Sequence, residues 1–112
     1  MSSKRFGLPR RKILKRSREI RAVFETGKKR SGKHLTLFLK PVPIGEEKFA
    51  VLINRRVGKA VQRNRMKRLV REIYRLHPQW FQGATIIIYI KRFQDDYHRL
   101  EKEIKQLVTS TK

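Results

Sequence analysis

The sequence predicts an α+β fold with the element order αβββαβα, a two-layer sandwich of about four strands in a mixed sheet packed with helices. Three observations carry this expectation. "HLTLFLK" (34–40) alternates with period two; "KFAVLIN" (48–54) and "ATIIIYIK" (84–91) are nearly unbroken apolar runs; and three other segments repeat apolar residues at helical spacing. With 112 residues, 38% of them hydrophobic, the chain can bury one modest core and not two.

Residues 1–15 hold Lys4, Arg5, Arg10, Arg11, Lys12 and Lys15 around Gly7 and Pro9, the composition of a flexible basic arm, and residues 16–112 form the single domain. Ser17 is the candidate N-cap of a first helix over 18–26. Ile20, Val23 and Phe24 form its apolar face, and Gly27 stands where a left-handed C-terminal residue is wanted. Residues 29–31 suit a short edge strand. In the next strand Leu35, Leu37 and Leu39 face one way, with Thr36, Phe38 and Lys40 facing the other. Pro41, Pro43 and Gly45 make a turn, and the apolar run at 48–54 reads as a central strand. A long helix beyond Gly58 ends near Leu76 ahead of Pro78. The strand at 84–91 follows the "QWFQG" loop, where Trp80 and Phe81 close the end of the core. Tyr97, Leu100, Ile104, Leu107 and Val108 then stripe a last amphipathic helix.

Charge narrows the function. Thirty Lys and Arg against nine Asp and Glu give a formal net charge of +21. Such a surface suits a polyanion, and nucleic acid comes first because each neutralised phosphate releases counterions. An acidic membrane surface is the rival. The longest apolar run, 84–90, is far short of the roughly 20 residues that span a bilayer, and no partner membrane is expected. The absence of Cys excludes disulfides and thiolate metal sites, and no apolar secretory segment follows Met1, so the expected compartment is the cytoplasm.

The charge concentrates in "RRVGKAVQRNRMKRLVRE" (55–72). Nine cations lie within 55–75, with Glu72 as their one carboxylate. On a 3.6-residue wheel Met66, Leu69, Val70 and Ile73 form an apolar stripe. Asn64, Lys67, Arg68, Arg71 and Arg75 fall opposite it, and Arg63 and Arg65 flank them. Arg presents a planar fork to phosphate oxygens, and Asn can bond sugar, base or phosphate. A merely solvated charged face would carry the same repulsion with nothing gained from it.

This stretch resembles the signature of the bacterial ribonuclease P protein subunit. Arg55 and Arg56, Gly58, Ala60, Arg63-Asn64-Arg65, Lys67-Arg68 and Arg71-Glu72 stand in the family's order. The resemblance extends over about residues 10–108, through "LKRSREIRAVFETGK", "LTLFLK" and "ATIIIYIKR", and departs from the usual pattern at Ile20, Ala50 and Asn54. It implies the protein subunit of a ribonucleoprotein endoribonuclease that removes the 5′ leader of precursor tRNA. The catalytic groups are then expected on the RNA, with Mg2+ held mainly by the RNA and none by this chain. The expected partners are ribonuclease P RNA, in a 1:1 complex with monomeric protein, and precursor tRNA. The resemblance places catalytic-RNA contacts on Arg55, Arg56, Lys59, Arg63, Asn64, Arg65, Lys67, Arg68 and Arg71, and a leader-binding cleft at Ile20, Phe24 and Phe38.

The residues themselves are consistent with a chain that does no chemistry. Adjacent carboxylates occur at Glu46-Glu47, in the turn, and at Asp95-Asp96, where they suit a helix N-terminus, and His34, His77 and His98 lack metal-binding spacing. Two readings of the aromatics stay open: Phe24 and Phe38 stack bases, or they pack on each other. A ribosomal or other structural RNA-binding protein would share the charge and size, and a DNA-binding protein would lack its helix-turn-helix partner here.

Overall fold

The structure, a computed structural model, describes residues 13, 14 and 16–109. The elements run α1 (Ser17–Thr26), β1 (Lys28–Ser31), β2 (Leu35–Pro41), β3 (Phe49–Ile53), α2 (Ala60–Leu76), a 3-10 turn (Pro78–Trp80), β4 (Ala84–Ile90) and α3 (Tyr97–Thr109). This is the expected αβββαβα order. The basic arm falls mostly outside the described residues. Its last part does not: Leu14 is 5% exposed and donates its N–H to Phe49 O at 2.8 Å, and Ile13 bridges Phe49 in parallel.

The sheet is mixed, in the order β1-β2-β4-β3, with β1-β2 and β2-β4 antiparallel and β3-β4 parallel. A parallel pair needs a crossover, and α2 supplies it. The apolar run at 48–54 is therefore an edge strand, not a central one; β4 takes the centre. Strand β3 is apolar because both its faces are covered. Phe49, Val51 and Ile53 pack towards α2, while Ala50 and Leu52 pack towards α1. Burial on two faces leaves the same sequence mark as a central position, and only strand pairing separates the two.

The main core lies between the sheet and α2 with α3, built on Leu35, Leu37, Ile86, Ile88 and Ile90 from the strands and Met66, Val70, Ile73, Leu100 and Ile104 from the helices. Tyr74 stacks on Phe49 at 3.9 Å, and burial, with the Glu47 carboxylate adding to it, pushes its phenol up to about 12. Phe81 is buried and Trp80 packs beside it, closing the end of the core as expected. On the opposite face α1 covers part of the sheet through Val23, over Ile87, Ala50 and Phe38.

Two end signals differ from expectation. Helix α1 starts at Ser17 with Arg16 at its N-cap and no side-chain capping bond. Gly27 is extended (φ −84°), not left-handed. A Cβ there would lie 2.6 Å from Val23 O and 2.8 Å from Leu39 O, so the glycine serves close approach of helix end and strand rather than backbone handedness. At α3, Asp96 caps as expected: its Oδ1 accepts the Arg99 N–H at 3.0 Å.

Candidate nucleic-acid interface

Helix α2 carries like charges one turn apart, at Lys59-Arg63, Arg63-Lys67, Lys67-Arg71 and Arg71-Arg75, and three apart at Arg65-Arg68 and Arg68-Arg71. Such pairs cost about 0.2–0.5 kcal/mol each, a few kcal/mol together. Against this, Met66, Val70, Ile73 and Tyr74 are buried, and full burial of such side chains contributes roughly 1.5–3 kcal/mol each. Packing wins, so the arginines are displayed from a rigid base. Asn64, Arg65, Arg68 and Arg71 are exposed, and Lys67 is half-buried at the border of the stripe. Of this face Glu72 answers Arg75. Its carboxylate is gripped by Arg75, at 2.6 Å to Nη2 and 3.2 Å to Nε.

The loop before α2 is built to hold a shape. Val57 is buried, Asn54 Oδ1 accepts the Arg56 N–H at 2.9 Å, and Gly58 turns through φ +61°, which suits glycine. Gln62 Oε1 accepts the Lys59 N–H at 2.8 Å, closing the helix start. Arg63 reaches back from the helix and its Nη1 donates to Arg55 O and Gly58 O, both at 3.0 Å. One of its guanidinium nitrogens is thus committed to the loop that presents Arg55, Arg56 and Lys59, all three exposed. Arg65 instead pairs with Asp95 at 3.2 Å on the surface, an interaction of small net value.

These placements separate the two arginines that the sequence treats alike. Arg63→Ala removes two carbonyl anchors and is expected to cost about 1 kcal/mol. Amide exchange at Val57 and Gly58 should accelerate while helical circular dichroism stays unchanged. Arg65→Ala should leave that exchange untouched; equal protection of the loop in both variants would mean Arg63 anchors nothing.

A cleft of about 480 Å³ lies at the outer edge of β3, which Ile13 and Leu14 cover at Phe49. Leu14, Ile20, Ala50 and Leu52 are among its apolar lining, and Arg68, Arg71, Glu72 and Arg75 line it from α2. The structure thereby joins Ile20 to the arginine face, two positions the sequence assigns to separate surfaces. Phe24 and Phe38 meet elsewhere on the α1 side, as an edge-to-face pair with centroids 4.7 Å apart, and Lys29 Nζ stands 6.0 Å from the Phe38 ring. They do pack on each other, yet Phe24 remains 40% exposed, so its ring is also available.

Two residues of these surfaces escape the sequence reading. Tyr89, half-buried, shares a sheet row with Thr36 and Leu52 on the α1 side. Strand parity within "ATIIIYI" could have found it, as the one aromatic in an isoleucine run. Val61 is 72% exposed between the cations of α2, and the helical wheel could have flagged it as apolar on a charged face.

The sequence profile of the family described as Ribonuclease P matches residues 8–112. The ribonuclease P protein component of Natranaerobius thermophilus is 33% identical over 88% of this chain and 89% of its own length. This chain belongs to the ribonuclease P protein family. The ribonuclease P protein component of Desulfovibrio desulfuricans is 35% identical over 94% of this chain and 86% of its own. The ribonuclease P protein of Thermotoga maritima has the same fold, with a TM-score of 0.75 over 89% of this chain and 97% of that one at 21% identity. In this ribonuclease P protein, therefore, the Arg-Asn-Arg segment sits at the start of α2. Arg63 is turned to the loop, Asn64 points outward and Arg65 lies beside the 92–95 segment.

Proposed function

We propose that this chain, as the protein component of ribonuclease P, docks the catalytic RNA on the outer face of α2 and the loop 55–59 and guides the 5′ leader of precursor tRNA across the α1 side of the sheet, past Ile20, Phe24 and Phe38. The observation that carries this reading is the unanswered charge of Arg68 and Arg71. Both are exposed on a rigid helix, and the one carboxylate of α2, Glu72, is engaged by Arg75. Phosphates of a folded RNA supply the missing counter-charge. Phe24, Phe38 and Tyr89 offer rings to unstacked bases, with Lys29 beside them for the backbone, which is what a single strand requires.

Phosphodiester hydrolysis belongs to the RNA in this reading, with Mg2+ held there. Supporting that division, the best-placed carboxylates of the chain serve its fold. Glu47 accepts the N–H groups of Gly45 and Gly83 at 2.8 and 2.9 Å, and Glu103 accepts those of His34 and Leu35 at 2.8 and 2.9 Å. One protein is expected to bind one catalytic RNA in the cytoplasm.

The test is reconstitution. Added to a bacterial ribonuclease P RNA at low Mg2+, the chain should restore cleavage at the mature 5′ end of a precursor tRNA. Correctly folded protein that gives no stimulation would defeat the reading and favour a structural RNA-binding role.

A further inference from the structure

A second concave surface lies at the other end of the sheet order. The turn between β1 and β2 and the outer side of α3 border an open hollow of about 450 Å³, whose lining includes Lys33, Arg99, Lys102 and Gln106. The three cations are exposed, and among the described residues none of them pairs with a carboxylate. Glu103, which also borders the hollow, is turned inward: its Oε2 takes the His34 and Leu35 N–H groups, and its Oε1 lies 2.9 Å from His34 Nδ1. Those bonds tie the turn to α3. Lys91 Nζ adds a bond to Gly32 O at 2.8 Å, and Gly32 N–H donates to Leu35 O at 2.7 Å. The walls are therefore fixed, and the cations stand around a preformed space.

We propose that this hollow is a second docking point for ribonuclease P RNA, in which Lys33, Arg99 and Lys102 grip the sugar-phosphate backbone of a base-paired segment. No aromatic side chain lines it, so it lacks the stacking platform a single strand uses and suits a duplex backbone instead. Strand β1 and strand β3 are the two edges of the sheet, roughly 14 Å apart at about 4.8 Å per strand spacing. The RNA segment on the α2 arginines, at the β3 edge, is then distinct from the one held here. Two separated contacts with one RNA make the second binding event intramolecular, which raises affinity beyond either alone. The inference rests on the proposed docking of the catalytic RNA at α2.

The experiment compares three full-length proteins for binding to a bacterial ribonuclease P RNA without substrate, over a salt series and with hydroxyl-radical footprinting. These are the unsubstituted chain, the triple variant Lys33→Gln, Arg99→Gln, Lys102→Gln, and a charge-matched control, Arg18→Gln, Arg21→Gln, Lys28→Gln. All should melt alike. The triple variant should bind on the order of 10–100-fold more weakly, with the slope of log K against log salt reduced by about 2–3, and should lose protection of one RNA segment while keeping another. Equal losses in the control, or unchanged affinity and footprint in the triple variant, would each overturn the proposal. Failure of the unsubstituted chain to bind the RNA would instead overturn the parent reading, and this one with it.

Discussion

Replacing Arg68 and Arg71 together with Gln should weaken binding to ribonuclease P RNA by on the order of 10–100-fold, with the fold unchanged. Each guanidinium is exposed on α2, so its loss leaves no buried group unpaired, and the anchoring side chains Met66, Val70 and Ile73 are untouched. What disappears is up to two charge-assisted phosphate contacts. The salt dependence discriminates this from a general loss of charge: two contacts fewer should lower the slope of log K against log salt by about 1.4–1.8. Relief of the Arg65-Arg68, Lys67-Arg71, Arg68-Arg71 and Arg71-Arg75 repulsions should even raise the melting temperature slightly. A variant that binds as tightly as the parent, with the same slope, would remove the α2 face from the interface.

The largest expected loss of stability comes from a residue with no counterpart among the sequence-derived site residues. Glu103→Ala deprives the His34 and Leu35 N–H groups of their acceptor and separates α3 from the start of β2. With part-buried donors left unsatisfied, the cost should be about 2–4 kcal/mol. It would be read as a lower urea midpoint at unchanged slope. Both N–H groups share Oε2, so Glu103→Gln, with its carbonyl oxygen in that place, can still accept from both and should recover part of the loss. If the Ala variant unfolds at the parent's midpoint, the carboxylate is incidental to the fold.

Much of the molecule was legible in its residues. Period-two alternation placed Leu35 and Leu37 opposite Phe38, the isoleucines of 86–90 marked a buried strand, and the wheel of α2 separated Met66, Val70 and Ile73 from Asn64, Arg68 and Arg71. Each of these is a local property, set by the geometry of one helix or one strand. The order Arg63-Asn64-Arg65 among its neighbours carried the family resemblance for the same reason, since a motif is read along the chain.

Residue order along the chain thus sets the elements, the faces they bury and the polyanion they await. Packing in three dimensions set the rest. It put β3 at an edge, turned Arg63 towards the carbonyls of Arg55 and Gly58, and brought Ile20 into one cleft with Arg68 and Arg71. It also held Gly27 extended between Val23 and Leu39, and gathered Lys33 of a turn with Arg99 and Lys102 of the last helix. The difference is one of range. Burial pattern is fixed by which side of an element a residue faces, but strand neighbours, long side-chain hydrogen bonds and cationic hollows depend on residues tens of positions apart, whose meeting is chosen by the packing of the whole chain.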